Sequence, residues 1–260
     1  MKEEKPDYRI YGIDFGTNAE ERELIRAIRE EPERTPVVFC RGVAGTGKTF
    51  TALAASLDLV RARGAKKKYK NIFYVREPVE IGHRLGYLKG TEEDKYGPYL
   101  GPLLDNYNHL MKAARDNGMT IQVPKAKRKA RNADEEENPV YSHLPSDIIS
   151  LAPEFLRGRS FEDCIILVDE AQNLTLDELQ TLATRIGRFT KMIILGSPNQ
   201  IDIPGQSEEK NDFLTAYEIL KPTGLVRMVE LKTPMRSDFV ADFDCRFSEY
   251  KASLSKKLNH

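Results

Sequence analysis

The sequence predicts an α/β fold with a mainly parallel sheet and helices on both faces, on three observations. Five short runs of aliphatic, β-branched and aromatic residues are mostly apolar without alternation, as strands of a parallel sheet covered on both faces are. Helical patterns lie between them, which is the signature of βαβ units. A glycine-rich turn joins the first run directly to one of those helical patterns.

The strands are expected at PVVFC (36–40), NIFYV (71–75), CIILVD (164–169), KMIILG (191–196) and LVRMVEL (225–231). After the first, Phe50, Leu53, Ala54, Leu57 and Val60 recur at the spacing of one helix face. After the third, Leu174, Leu179, Leu182 and Ile186 do much the same, with Thr175 and Asp177 as N-terminal capping residues. Two segments break the alternation. Residues 76–115 are rich in glycine, proline and tyrosine, and residues 125–147 run basic, then acidic, then proline-punctuated. The second is expected to be an exposed insertion, and Phe239, Val240, Phe243, Phe247, Tyr250 and Leu254 predict a helix over about 237–258. All of residues 1–260 are read as a single domain.

Composition narrows the function classes. With 40% hydrophobic and 31% charged residues, the chain can bury a core. Its formal net charge is zero, so affinity for nucleic acid would have to come from local basic patches. Three cysteines with no paired spacing argue against a disulfide framework, and a reducing cytosol is expected. The opening MKEEKPDYRI is charged, unlike a signal peptide, and no apolar run reaches membrane-spanning length. His83, His109, His143 and His260 are too dispersed for a zinc site.

The chemistry is concentrated at residues 42–49. Gly42, Val43, Ala44, Gly45, Thr46, Gly47, Lys48 and Thr49 fit G-x-x-x-x-G-K-[ST], after an apolar strand and before an amphipathic helix. Glycines let successive amides turn inward on an anion, and the helix N-terminus adds partial positive charge. Lys48 is expected to reach the β- and γ-phosphates of a nucleotide, and the Thr49 hydroxyl to coordinate Mg²⁺. The run IILV then delivers Asp169 to the same edge of the sheet, the Walker B arrangement, where it helps hold the metal from its outer shell beside the loop. Glu170, the next residue, is placed to orient and deprotonate a water, which favours hydrolysis over phosphate transfer to a small molecule. Gln200, in the loop after the fourth strand, is the candidate for reporting the γ-phosphate. An arginine would answer the charge that builds during hydrolysis, and is worth roughly 10³–10⁵ in rate.

With these residues together, the sequence resembles the PhoH family of P-loop ATPases, and within it the short single-domain phage and bacterial members. The match runs from about residue 10 to 250, and GVAGTGKT, REPVEIGHRLGYLKGTEEDKYGPYL, LAPEFLRGRSFEDCIILVDEAQNLT, LATRIGRFTKMIILGSPNQID and MRSDFV carry it. The resemblance implies a RecA-like P-loop core related to superfamily 1 helicases, ATP hydrolysis, a role in RNA unwinding or turnover, and a bacterial or phage-infected host cytoplasm as the setting. By motif position Asp169, Glu170 and Gln172 lie in the family's DEAQ segment, Gln200 matches the glutamine of GDxxQ, and Arg236 matches an arginine near the C-terminal end. Arg76, Arg157, Arg159 and Arg185 fall on further family arginines, implied to contact phosphate or RNA. Two positions depart from the pattern: Ser197 replaces the aspartate of GDxxQ, and Glu21 stands where a glutamine reads adenine.

Superfamily 1 helicases place ATP between two such cores, and this chain has room for one. A homo-oligomer is therefore expected, a hexameric ring in which Arg236 completes a neighbour's site. For RNA or single-stranded nucleic acid the candidates are RARGAKKKYK (61–70), with Tyr69 to stack on a base, and Lys125, Lys127, Arg128, Lys129 and Arg131. The competing reading is an ATP-dependent regulatory switch or assembly protein acting on a protein partner. A P-loop kinase is disfavoured by Glu170.

Overall fold

The computed structural model describes residues 7–64, 67–77, 97–121, 144–151, 153, 158, 160–201, 206–207 and 210–235. Most of the expected insertion at 125–147, the expected helix at 237–258, and Arg157, Arg159 and Arg236 lie outside the described residues.

In chain order the elements are β1 (Arg9–Ile10), β2 (Ile13–Asp14), α1 (Ala19–Arg29), β3 (Val37–Gly42), α2 (Lys48–Val60), β4 (Ile72–Arg76) and α3 (Gly101–Asp116). There follow β5 (Ile148–Leu151), β6 (Ile165–Asp169), α4 (Leu176–Ala183), β7 (Lys191–Gly196), α5 (Asp212–Leu220) and β8 (Val226–Leu231). β1 and β2 form a small antiparallel hairpin. The other six strands make one sheet in the order β5-β4-β6-β7-β3-β8, parallel at every pairing. This is the α/β fold of a RecA-like P-loop protein, with every strand's C-terminal end on one edge.

In the central strands β3, β4, β6 and β7 both faces are covered, which explains their largely apolar runs. Val38, Cys40, Ile72, Tyr74, Ile165, Leu167, Ile193 and Leu195 turn toward a core shared with α1, α2 and α3. Their alternating neighbours Val37, Phe39, Val75, Ile166, Val168, Met192 and Ile194 turn toward α4 and α5. α2 is enclosed on several sides, so that Ala52, Ala54, Ala55 and Ser56 are buried beside its leucines. Its environment is wider than the single apolar face that the i, i+3, i+4 spacing describes.

α4 starts where its cap dictates. Thr175 accepts from the Glu178 amide while the Glu178 carboxylate accepts from the Thr175 amide, a reciprocal capping box. Asp177 lies in the first turn, and Ile186 falls past the helix, where it bridges Phe161. α3 begins inside the segment expected to be irregular. Pro102 lies in its first turn, where the missing N–H costs nothing, and Leu103, Tyr107, Leu110 and Ala114 form its buried stripe.

Candidate functional site

β3, α2 and β6 bring the candidate residues to the C-terminal edge of the sheet. β3 ends at Gly42, and α2 begins at Lys48. Gly47 precedes that helix with φ 81°, the left-handed region that glycine enters without penalty. Gly42 is required for a different reason. A Cβ there would lie 2.4 Å from the Leu231 carbonyl oxygen of β8 and 2.9 Å from Thr46 Oγ1. Within the loop, Thr46 Oγ1 donates to the Val43 carbonyl (2.9 Å), and Lys48 Nζ donates to the carbonyls of Gly42 (2.8 Å) and Val43 (2.9 Å).

The next contact joins two segments distant in sequence. Thr49 Oγ1 donates to Asp169 Oδ1 at 2.9 Å. Asp169 ends β6 and is 3% exposed. Its other oxygen accepts from the buried Tyr74 hydroxyl of β4 (2.7 Å), and the Arg76 guanidinium stands 4.0 Å from it. Register explains the grouping: Arg76 pairs with Asp169 across β4 and β6, and Tyr74, two residues earlier, points to the same face. Burial and then the adjacent Glu170 push the Asp169 carboxyl up, opposed by Tyr74, Arg76 and Thr49.

Glu170 has φ 53° and ψ 39°, a left-handed conformation that is strained for a side chain of its size and that costs about 1–3 kcal/mol. Its carboxylate accepts from Gln172 Nε2 (2.7 Å). Gln172 is 1% exposed and reaches further: the same amide nitrogen donates to the Gln200 carbonyl (3.1 Å), and its oxygen accepts from the Ser197 amide (2.8 Å). Gln200 closes the turn by donating its amide to the Ser197 carbonyl (2.8 Å). Ser197 is buried and engaged through its main chain.

A third group borders the loop from the start of α1. Asn18 caps that helix through the Glu20 and Glu21 amides. Glu20 accepts from the Lys232 (2.7 Å) and Thr233 (3.1 Å) amides, just past β8, and the Met235 amide then donates to the Gly45 carbonyl (2.8 Å). Glu21 is 2% exposed and accepts from Thr51 Oγ1 of α2 at 3.0 Å, and burial pushes its carboxyl up.

Other expected contacts lie elsewhere. The described residues of the run, 61–64 and 67–70, precede β4 and so occupy the N-terminal edge of the sheet, opposite the P-loop. Tyr69 is 2% exposed, and the stacking expected of it is ruled out by burial in the core shared with α1 and α2. Lys68 is paired with Glu31, Lys70 with Asp163 (2.8 Å) and Arg61 with the buried Asp147 (2.7 Å). Arg185 follows α4 at the same N-terminal edge, its carbonyl accepting from the Phe161 amide (3.1 Å). The arginines and lysines at 125–131 lie outside the described residues.

A hydroxyl and a carboxylate 2.9 Å apart are hard oxygen donors of the kind that share Mg²⁺ with a nucleotide's phosphates. Among the described residues no group of three or more His, Cys, Asp or Glu is arranged to hold a metal by itself. None of their helices is long and apolar enough to cross a membrane.

A parallel sheet with a glycine-rich loop at one strand end, a lysine and threonine opening the next helix, and a buried aspartate against that threonine defines a P-loop NTPase-type protein. The chain belongs to the PhoH family: the family model described as PhoH-like protein matches residues 15–243. It is 32% identical to protein PhoH2 of Bacillus subtilis over 231 residues, 89% of this chain and 47% of that protein. A PhoH-like protein of Mycobacterium tuberculosis is 32% identical over 75% of this chain and 47% of its own length, and protein PhoH of Escherichia coli is 26% identical over 75% and 48%. The chain thus spans about half the length of these relatives. Among solved structures, an arterivirus nonstructural protein 10 (helicase) aligns with 75% of this chain and 35% of its own at 17% identity and a TM-score of 0.36.

Proposed function

We propose that this protein binds ATP with Mg²⁺ at the P-loop and hydrolyses it, coupled to binding, remodelling or unwinding RNA or single-stranded nucleic acid. The observation that carries the nucleotide half is the Thr49–Asp169 hydrogen bond of 2.9 Å, which joins the start of α2 to the end of β6 beside Lys48 and Glu170. Amides of residues 42–48 and the Lys48 ammonium would bind the phosphates. Thr49 and Asp169 would hold Mg²⁺, which supplies charge neutralisation between the β- and γ-phosphates. Glu170 would orient a water toward the γ-phosphorus and accept its proton on the carboxylate as the bond to the leaving ADP oxygen breaks. Gln172 keeps that carboxylate and the Ser197–Gln200 turn in one network, so Gln200 would register the phosphate's presence and loss.

Membership of the PhoH family supports the RNA half. We would assign its contacts to Arg76 at the site edge and to Arg157, Arg159, Lys125, Lys127, Arg128, Lys129 and Arg131, since Lys68 and Lys70 lie at the opposite edge, ion-paired with Glu31 and Asp163. Arg236 would act in a neighbour's site within a hexameric ring in the cytoplasm. The test is phosphate release by purified protein against a panel of single- and double-stranded RNA and DNA at two salt concentrations. RNA-stimulated, Mg²⁺-dependent turnover that Lys48→Ala abolishes is expected. Turnover indifferent to every strand would favour a switch acting on a protein partner, and folded protein without Mg²⁺-dependent nucleotide affinity would overturn the proposal. Mixed Arg236→Ala and Lys48→Ala subunits should recover activity if they exchange.

A further inference from the structure

We infer that Tyr74 is a positioning residue for the metal-holding carboxylate: its hydroxyl fixes the rotation of Asp169 so that Oδ1 is presented to Mg²⁺ beside Thr49. This deepens the reading of the site as a Mg-nucleotide site and rests on it.

The two oxygens of Asp169 have separate partners. Oδ1 accepts from Thr49 Oγ1 (2.9 Å) and from the Glu170 amide (3.1 Å). Oδ2 accepts from the Tyr74 hydroxyl (2.7 Å), and Arg76 at 4.0 Å is beyond hydrogen-bond reach. The terminal torsion of an aspartate is broad and roughly two-fold, so packing alone sets its carboxylate plane weakly. A donor on the oxygen turned away from the metal supplies the missing constraint, as outer partners of metal ligands do. Tyr74 is well suited to supply it. Its ring is fully buried in the core between sheet and helices, so the hydroxyl has little freedom to swing away. The hydroxyl adds nothing to that packing that a phenylalanine would lack. What it adds is a donor aimed at one carboxylate oxygen and, as an acceptor, a hold on the neighbouring Arg76 guanidinium.

The test separates the metal-linked part of nucleotide binding from the rest. A fluorescent ATP analogue is titrated into the 260-residue chain and into its Tyr74→Phe variant, first with EDTA and then with increasing Mg²⁺. The parent should bind more tightly with Mg²⁺, and Tyr74→Phe should need roughly 10- to 100-fold more Mg²⁺ to reach the same tightening, with metal-free affinity within about twofold of the parent. Unchanged Mg²⁺ dependence in Tyr74→Phe overturns the inference. So does an equal loss with and without Mg²⁺, the mark of a merely structural role. A parent that binds no nucleotide under either condition overturns the site reading itself, and is seen before any variant is made. Should Tyr74→Phe fold poorly, 3-fluorotyrosine placed at position 74 keeps both ring and hydroxyl. Its ¹⁹F resonance should shift when Mg²⁺ joins the protein–nucleotide complex, and a resonance that stays in place overturns the inference.

Discussion

Lys191 offers a quantitative test of how the sheet is tied to α1. It opens β7, is fully buried, and donates to the carbonyls of Thr35 and, at 3.4 Å, Ala27. Ala27 lies in the last turn of α1, where carbonyls lack helical partners and a cation is favoured. Burial pulls the ammonium from 10.5 down to about 8, with Glu30, Glu31 and Glu33 acting in the opposite direction. Between those values the unfolded chain carries a proton that the folded chain has released, so stability rises with pH there and is insensitive to this group below about 8. From the two proton affinities, the gain between about pH 7 and about pH 9.5 is about 2 kcal/mol. Lys191→Met removes a buried ion but strands carbonyls, each at about 1–3 kcal/mol, so the two costs nearly cancel at neutral pH. The variant should therefore match the parent near pH 7 and fall about 2 kcal/mol behind by about pH 9.5. Urea unfolding followed by circular dichroism across that range measures the gap, and groups common to both chains drop out of the difference. Parallel curves would refute the reasoning, because they would mean that the ammonium loses no more hydration on folding than a surface lysine does.

Three further outcomes follow from the site. Glu170→Gln keeps side-chain length but removes the proton acceptor, so phosphate release should fall roughly 10²- to 10⁴-fold while equilibrium nucleotide binding persists. Gly42→Ala forces a methyl to within 2.4 Å of a backbone oxygen of β8, and should lower the thermal midpoint and weaken nucleotide affinity together; overpacking of this kind costs about 1–3 kcal/mol. Glu21→Gln should raise the midpoint at pH 8. Burial lifts the parent's carboxyl, so the folded chain gives up its proton later than the unfolded one and loses stability as pH climbs out of the acid range; melting curves should converge toward about pH 4.

Much of this architecture is legible in the order of the amino acids alone. Four of the six sheet strands, β3, β4, β6 and β7, stand out because both their faces are covered and few polar residues break their runs, while the edge strand β8 shows through Val226, Met228, Val229 and Leu231 although Arg227 and Glu230 interrupt it. The sixth, β5, is a four-residue edge strand with one buried residue, and IISL carries too little apolar signal to be seen. α1 and α3 hide for different reasons. The charges of AEERELIRAIR mask Leu24, Ile25 and Ile28, and Pro102 with Gly101 suggests a turn where it marks a helix start. The phosphate loop and Asp169 are legible because their contacts are local in motif and end at one sheet edge. Tyr74 is not, since its partner is set by β4 lying beside β6, a neighbour relation that strand composition does not encode. Tyr69 misleads because a tyrosine among lysines looks exposed, while the chain turns it inward and leaves only the ammonium groups outside. Gln172 is visible as a motif residue, but its double donation needs two loops brought together in space.

That double donation has a mechanical consequence. One planar amide, with its nitrogen shared between the Glu170 carboxylate and the Gln200 carbonyl and its oxygen held by the Ser197 amide, works as a strut between two sheet strands' exit loops. A shift of either loop by more than the slack of a hydrogen bond breaks a contact at the far end. News of a change after β7 therefore arrives at the acid after β6 through a single side chain.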